Sequence, residues 1–186
     1  MNIVVVPDAC MIVIPLIEKN GHNYLSPSNF SKYDNMDICD GNLIFDNLIS
    51  EYCSSEMPSG VKSRLILFSK VIDKADAAII IGRRPKNYKP MYNTLNDLIL
   101  FGANACDNAH SLSLKIIHDL NIPTLKLSYP TNQKQIINLI DKTNYFLRNL
   151  NEFSSGFNYD NLNADWSVKE NKYSVLDVKK IVDKLI

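Results

Sequence analysis

The chain has 186 residues, of which 46% are hydrophobic, and its 20 basic side chains balance 20 acidic ones. This length and apolar content fit one domain with a single core and a tail. The balanced charge argues against a nucleic-acid-binding or membrane-surface protein, because both classes carry a marked basic excess. The longest apolar stretch, residues 9–17, is too short to span a bilayer, and Met1 leads into a strand rather than a signal peptide. We therefore expect a cytoplasmic protein.

The N-terminal part begins with a β-branched run at residues 2–6, which predicts a strand. Residues 9–20 are predicted to form a helix that ends before Gly21, a typical residue just past a helix C-terminus. Pro15 complicates this helix, since an interior proline kinks or breaks one. The alternative is a hairpin that turns at residues 7–8. The helical pattern continues past Pro15 to Gly21 and favours the helix.

The middle of the chain alternates between helical and strand patterns. Residues 22–41 indicate an irregular connection with a short strand near Asn23–Leu25, and residues 42–53 carry a helical stripe. Apolar residues at three-to-four spacing then predict a helix over about 60–75, which delivers the chain into a strand at 77–82.

The remainder of the domain repeats this pattern. The apolar run at residues 98–101 predicts either another strand or a buried turn. A helix over about 108–120 and a strand at 124–128 follow, and Thr131 is predicted to cap a helix that extends to about residue 150.

Beyond residue 150 the chain becomes polar, and an amphipathic helix is predicted over 174–186. Its apolar face must pack either on its own domain or on a partner subunit, so a homodimer through this helix is one expectation. The chain thus divides into an α/β domain over residues 1–150 and, over residues 151–186, a polar linker with a C-terminal helix.

Short strands separated by helices predict a parallel sheet, because parallel neighbours need long return connections. We therefore predict a three-layer α/β domain, Rossmann-like or flavodoxin-like, with a mainly parallel sheet and a C-terminal helical tail. Strands 2–6, 77–82 and 124–128 are expected to lie parallel in one sheet.

Polar side chains follow each of these strands, at the edge where ligands of such sheets gather. A carboxylate, an imidazole and a basic cluster on one rim suit an anion-binding or acid–base site, and helix N-termini add backbone donors there. The alternative is that these are ordinary solvated loops. The candidate ligand-binding residues are Asp8, Arg83, Arg84, Lys86, Asn108, His110, Tyr129 and Thr131.

Two features of this set carry particular expectations. Gly82 is expected to let the backbone turn sharply after its strand, so that Arg83 and Arg84 can hold a phosphate or carboxylate by paired hydrogen bonds. His110 lies in the first turn of its helix, where the macrodipole favours a neutral imidazole. Common nucleotide-binding, hydrolase and metalloprotease motifs are absent from the sequence.

The four cysteines stand at positions 10, 39, 53 and 106, without a C-x-x-C pair. In a reducing cytoplasm they are expected to be free thiols, so no Cys10–Cys106 disulfide and no metal site is predicted. The competing hypothesis is a metal or iron–sulfur protein that uses Cys10, Cys106 and His110.

Several segments, in order, resemble the methanogenesis marker protein 5 family. They are Val6-Pro-Asp with the helix that closes on residues 19–22, then Pro58–Arg64, Val71–Ile80 and Asn121–Pro130. The resemblance implies a cytoplasmic archaeal protein connected to methanogenesis, with maturation of methyl-coenzyme M reductase as one role. The family carries a Phe-Gly-Cys-x-Gly-Cys segment, of which Phe101–Cys106 keeps only the last cysteine, and this departure counts against a metal or thiol-pair role here.

Two main functions follow as hypotheses. The first is a non-catalytic accessory protein that binds a protein partner in the assembly of a methanogenic enzyme. The alternative is an enzyme or binding protein for a small anionic ligand at the carboxyl edge of the sheet. Neither hypothesis names a cofactor.

Overall fold

The helices and strands of the protein are seen in a computed structural model, which describes residues 1–8, 10–27, 51–84, 100, 102, 107–152, 158–160 and 183–184. The strands are β1 (Asn2–Val6), β2 (Asn23–Tyr24), β3 (Ala77–Ile81), β4 (Thr124–Leu127) and β5 (Asn158–Asp160). The helices are α1 (Ile14–Lys19), α2 (Ser59–Ile72), α3 (Asp107–Asp119) and α4 (Gln133–Arg148), followed by a 3₁₀ turn at Leu150–Glu152.

The strands described form one sheet in the order β2-β1-β3-β4-β5, and each neighbouring pair is parallel. Val6 pairs with Ile80, and Ile81 pairs with Leu127, so β1, β3 and β4 end at the same edge. The predicted parallel arrangement of the three main strands is confirmed. The order 2-1-3-4-5 is that of flavodoxin-like folds, which places the point of reversal between β1 and β3.

Alternate residues of the strands enter two separate cores, as the period of a pleated strand requires. One core joins Ile3, Val5 and Ile79 to apolar residues of α1 and α4. The other joins Val4 and Ile80 to apolar residues of α2 and α3. Helices therefore cover both faces of the sheet, and the predicted three-layer α/β architecture is confirmed.

Helix α1 shows how Pro15 is accommodated. The helix begins at Ile14, later than the predicted residue 9, so Pro15 lies in the first turn, where no intrahelical N–H is lost. At the other end, Gly21 has φ +76°, and its N–H bonds to the carbonyl of Glu18 while the N–H of His22 bonds to that of Ile17. This is a Schellman ending, and it confirms Gly21 as the residue just past the helix.

Other boundaries differ from the predictions in specific ways. The cap of α4 is Asn132, whose side chain accepts from the N–H of Gln135 at 3.0 Å, so the prediction of Thr131 as the cap is wrong by one residue. Leu100 is helical and half-buried against the core, which contradicts a strand at 98–101 for the one residue of that run that the structure describes. A four-residue apolar run has no period that distinguishes a strand from a buried helix.

Strand β5 was not predicted, because Asn158–Asp160 is polar and carries no β-branched residue. Of the helix predicted over 42–53, residues 51 and 52 are helical and the rest lie outside the described residues. In the tail, Asp183 and Lys184 are helical, and Lys184 Nζ lies 2.8 Å from Asp141 Oδ1 of α4. In the part of the chain that is described, no helix combines the length and apolarity needed to cross a bilayer.

Candidate functional site

The candidate site lies where the chain leaves β1 and β3. From β1 the chain continues to β2 on one side of the sheet, and the later strands follow on the other side. Such a reversal opens a crevice outside the carboxyl ends of the two central strands, which is where ligands bind in open α/β sheets. The residues that enter this region are those of the loops after Val6 and after Ile81.

Asp8, in the loop after β1, is exposed and accepts a hydrogen bond from the hydroxyl of Tyr24 to its Oδ1 atom. Tyr24 is the last residue of β2 and pairs with Ile3 of β1. Tyr24 was not among the predicted site residues, although a short strand was predicted near Asn23–Leu25. The contact fixes the carboxylate of Asp8 against β2.

The loop after β1 is also held from a second direction. Gly102 has φ +69°, and a Cβ atom there would overlap with the backbone oxygen of Asp8. The carbonyl of Leu100 accepts from Cys10 Sγ at 3.3 Å and from the N–H of Ile12 at 3.4 Å. Residues 100 and 102 therefore pack against the loop that carries Asp8, and only glycine fits at position 102.

Arg83, in the loop after β3, donates from Nη2 to the Ser111 hydroxyl of α3. The N–H of Gly82 bonds to the Leu127 carbonyl at 2.7 Å, so the ladder with β4 continues one residue past the strand. A Cβ at Gly82 would lie 3.3 Å from that carbonyl oxygen, and the φ of Gly82 is not positive. Close approach to β4, rather than a sharp turn, is therefore the reason for this glycine. Ser111 was missed by the sequence analysis, although it follows His110 directly.

The predicted site residues divide into exposed and buried groups. Asp8, Arg83, Arg84 and Asn108 are exposed, while Lys86 lies outside the described residues. Tyr129 is only 3% exposed and belongs to the core against α1 and α4, and His110 is 6% exposed. The structure thus brings Asp8 and the two arginines to adjacent strand ends but buries Tyr129 and His110.

Thr131 is engaged by the start of α4. Its N–H and its hydroxyl donate to Gln135 Oε1 at 2.6 and 2.9 Å, while Asn132 caps the same turn. This is a capping box displaced by one residue, in which the glutamine reaches back past the cap. Thr131 is therefore 6% exposed and acts in the local structure of the helix start.

The cysteines that are described have different surroundings. Cys10 is fully buried, and burial raises the pKa of its thiol to about 12, so the thiol is protonated at neutral pH. Cys53 is half-buried, and both cysteines are free. Cys39 and Cys106 lie outside the described residues. Within the described ranges, no group of three or more His, Cys, Asp or Glu side chains is arranged to hold a metal ion.

Comparison with known proteins places the chain among archaeal proteins. A protein of Methanocaldococcus jannaschii, uncharacterized protein MJ0404, is 30% identical over 166 residues, which covers 81% of this chain and 96% of the relative. No solved structure matches the chain at a significant level. Residues 1–150 match the family described as uncharacterized protein conserved in archaea (DUF2112). The chain therefore belongs to this archaeal family.

Proposed function

We propose that this protein is a non-catalytic accessory protein of methanogenesis that acts in the maturation of methyl-coenzyme M reductase. The observation that carries the proposal is that one region, residues 1–150, both matches the archaeal family and contains the segments that resemble methanogenesis marker protein 5. The relative from Methanocaldococcus jannaschii, whose genus name denotes methane production, supports the same connection.

Deletion of the gene in a methane-producing archaeon tests this proposal. We expect methyl-coenzyme M reductase to accumulate with normal subunit levels but reduced specific activity, because an accessory protein affects maturation rather than synthesis. Complementation with the wild-type gene is expected to restore the activity. A deletion strain whose purified reductase has full specific activity contradicts the proposal.

A second candidate function is the binding of a small anionic ligand at the β1/β3 crevice. The observation that favours it is the placement of Arg83 and Arg84 two and three residues after the end of β3, next to the loop that carries Asp8. Both arginines are exposed, and Ser111 holds the guanidinium of Arg83. A guanidinium can hold a phosphate or carboxylate by two parallel hydrogen bonds.

Calorimetric titration of the protein with inorganic phosphate tests this second function. The double variant Arg83→Ala/Arg84→Ala is expected to lose phosphate binding with nearly unchanged thermal stability, because exposed charges add little to folding. The matched control is Lys70→Ala/Arg148→Ala, which removes two charges from the last turns of α2 and α4. Binding that survives in the first variant contradicts the anion site, and unfolding of that variant makes the arginines structural.

A further inference from the structure

The β1/β3 crevice holds two opposite charges on neighbouring strand ends. Val6 and Ile80 are paired in register, and Asp8 and Arg83 follow them by two and three residues. Neighbouring strands lie about 4.8 Å apart, so the two loops start within the span of a small metabolite. The site therefore offers a hydrogen-bond acceptor as well as cationic donors.

The acceptor side is fixed by other elements of the fold. Tyr24 of β2 donates to Asp8 Oδ1, and Gly102 packs against the backbone carbonyl of Asp8. A carboxylate can accept about four hydrogen bonds, and the Asp8 side chain is exposed. The position of Asp8 is thus set before any ligand binds, and such preorganisation lowers the entropy lost on binding.

The cationic side is fixed from the opposite direction. Ser111 of α3 accepts from Arg83 Nη2, whereas Arg84 follows directly and is exposed. A guanidinium has five N–H donors, and both arginines are exposed. Two adjacent arginines carry two positive charges, and this matches a phosphate dianion better than a single carboxylate.

We propose that the crevice binds a small organic phosphate that also carries a hydrogen-bond donor, either a hydroxyl or an ammonium group, with the phosphate on Arg83 and Arg84 and the donor on Asp8. This inference rests on the proposed anion site and adds the second half of its ligand. Tyr24 and Ser111 are positioning residues, since each acts by holding a charged side chain in place.

Three phosphate esters that differ only at one end separate the two halves of the site. Ethyl phosphate has no donor, 2-hydroxyethyl phosphate has a hydroxyl and phosphoethanolamine has an ammonium group. In calorimetric titrations of the wild-type protein, we expect at least one donor-bearing ester to bind about tenfold more tightly than ethyl phosphate. A gain in affinity of this size corresponds to one hydrogen bond to a charged group. The ester that shows the preference identifies the donor.

Two variants assign the preference to Asp8. Asp8→Asn is expected to bring the affinity for the donor-bearing ester to within about twofold of that for ethyl phosphate. The reason is that the amide is neutral and has one acceptor oxygen, whereas the carboxylate is charged and has two. Asp73→Asn removes an equal charge from the residue that follows α2 and is expected to keep the tenfold preference. A measurement that needs no variant is the change in backbone amide NMR shifts. The donor-bearing ester is expected to shift Asp8 as well as Arg83 and Arg84, whereas ethyl phosphate is expected to shift the two arginines but not Asp8.

The outcomes distinguish this inference from the anion site on which it rests. If ethyl phosphate does not bind, or binds equally well to Arg83→Ala/Arg84→Ala, the anion site itself is wrong. If ethyl phosphate binds through the arginines but the esters bind alike, or Asp8→Asn keeps the preference, only the donor half is overturned. A tenfold preference that depends on Asp8 supports the whole assignment.

Discussion

The hydroxyl of Tyr52 donates a hydrogen bond to Asp119 Oδ2 across 2.7 Å, which joins the helical residues 51–52 to the last residue of α3. Lys115, one turn earlier, places its Nζ 2.6 Å from Asp119 Oδ1, and His118 Nδ1 lies 3.2 Å from the same oxygen. The hydrogen bonds from Lys115, Tyr52 and His118 hold the pKa of Asp119 well below its usual range. The same contact with Asp119 raises the pKa of Tyr52 to about 12.

These shifts predict how stability depends on pH. Because the pKa of Tyr52 rises from 10.0 to about 12 on folding, its contribution is complete below pH 10 and is lost as the pH rises through 12. Asp119 has the opposite sign, so its contribution is lost as the pH falls below about 4. Tyr52→Phe is expected to flatten the decline in the urea midpoint between pH 10 and 12. Tyr145→Phe, which changes a 60% exposed tyrosine of α4, serves as the control and keeps the wild-type decline.

Burial of Cys10 predicts that its thiol resists modification in the folded protein. Its pKa of about 12 leaves little thiolate at neutral pH, whereas Cys53 is half-buried and more accessible. Alkylation with iodoacetamide, read by mass spectrometry, is expected to label Cys53 well before Cys10. After unfolding without reductant, all four cysteines of the sequence are expected to react. A count of two reactive thiols reveals a disulfide and contradicts this prediction.

Three glycine-to-alanine variants separate backbone strain from steric overlap. Gly60→Ala lies in α2 with open space around it and is expected to stabilise the protein by about 0.5–1 kcal/mol. Gly21→Ala also has open space but a φ of +76°, so we expect a loss of about 1–2 kcal/mol. Gly102→Ala combines a φ of +69° with overlap against Asp8 and is expected to lose the most.

Urea unfolding of the three variants gives these free energies directly. From most to least stable, the expected order is Gly60→Ala, wild type, Gly21→Ala and Gly102→Ala. A Gly102→Ala variant as stable as Gly21→Ala shows that the contact between Gly102 and the Asp8 carbonyl does not constrain the loop after β1.

The domain division predicts that residues 1–152 fold without the tail. The described residues of both hydrophobic cores lie within the first 150, and the sheet keeps four of its described strands without β5. The ion pair between Lys184 and Asp141 is exposed and contributes at most about 1 kcal/mol. We expect circular dichroism to show one cooperative thermal transition for the shortened chain. A gradual transition without cooperativity shows that the domain needs residues beyond 152 in order to fold, which contradicts the prediction.

The sequence by itself was sufficient for the features that depend on local patterns. Strands β1, β3 and β4 are buried runs bounded by polar residues, and α2 repeats its apolar residues every three to four positions. Gly21 also indicates in the sequence where α1 ends, because a residue with positive φ is needed there. These signals arise from one stretch of chain at a time, and alternation of strands with helices then implies a parallel sheet.

Only the tertiary structure decided which distant segments meet. The order β2-β1-β3-β4-β5 places the chain reversal beside Asp8 and Arg83, and no local pattern contains strand order. The partners Tyr24 and Ser111 come from other elements, and Tyr129, polar and next to a strand end, belongs to the core. The physical reason is that a hydrogen bond or a buried ring depends on what packs against it, and that surface is supplied by residues far away in sequence.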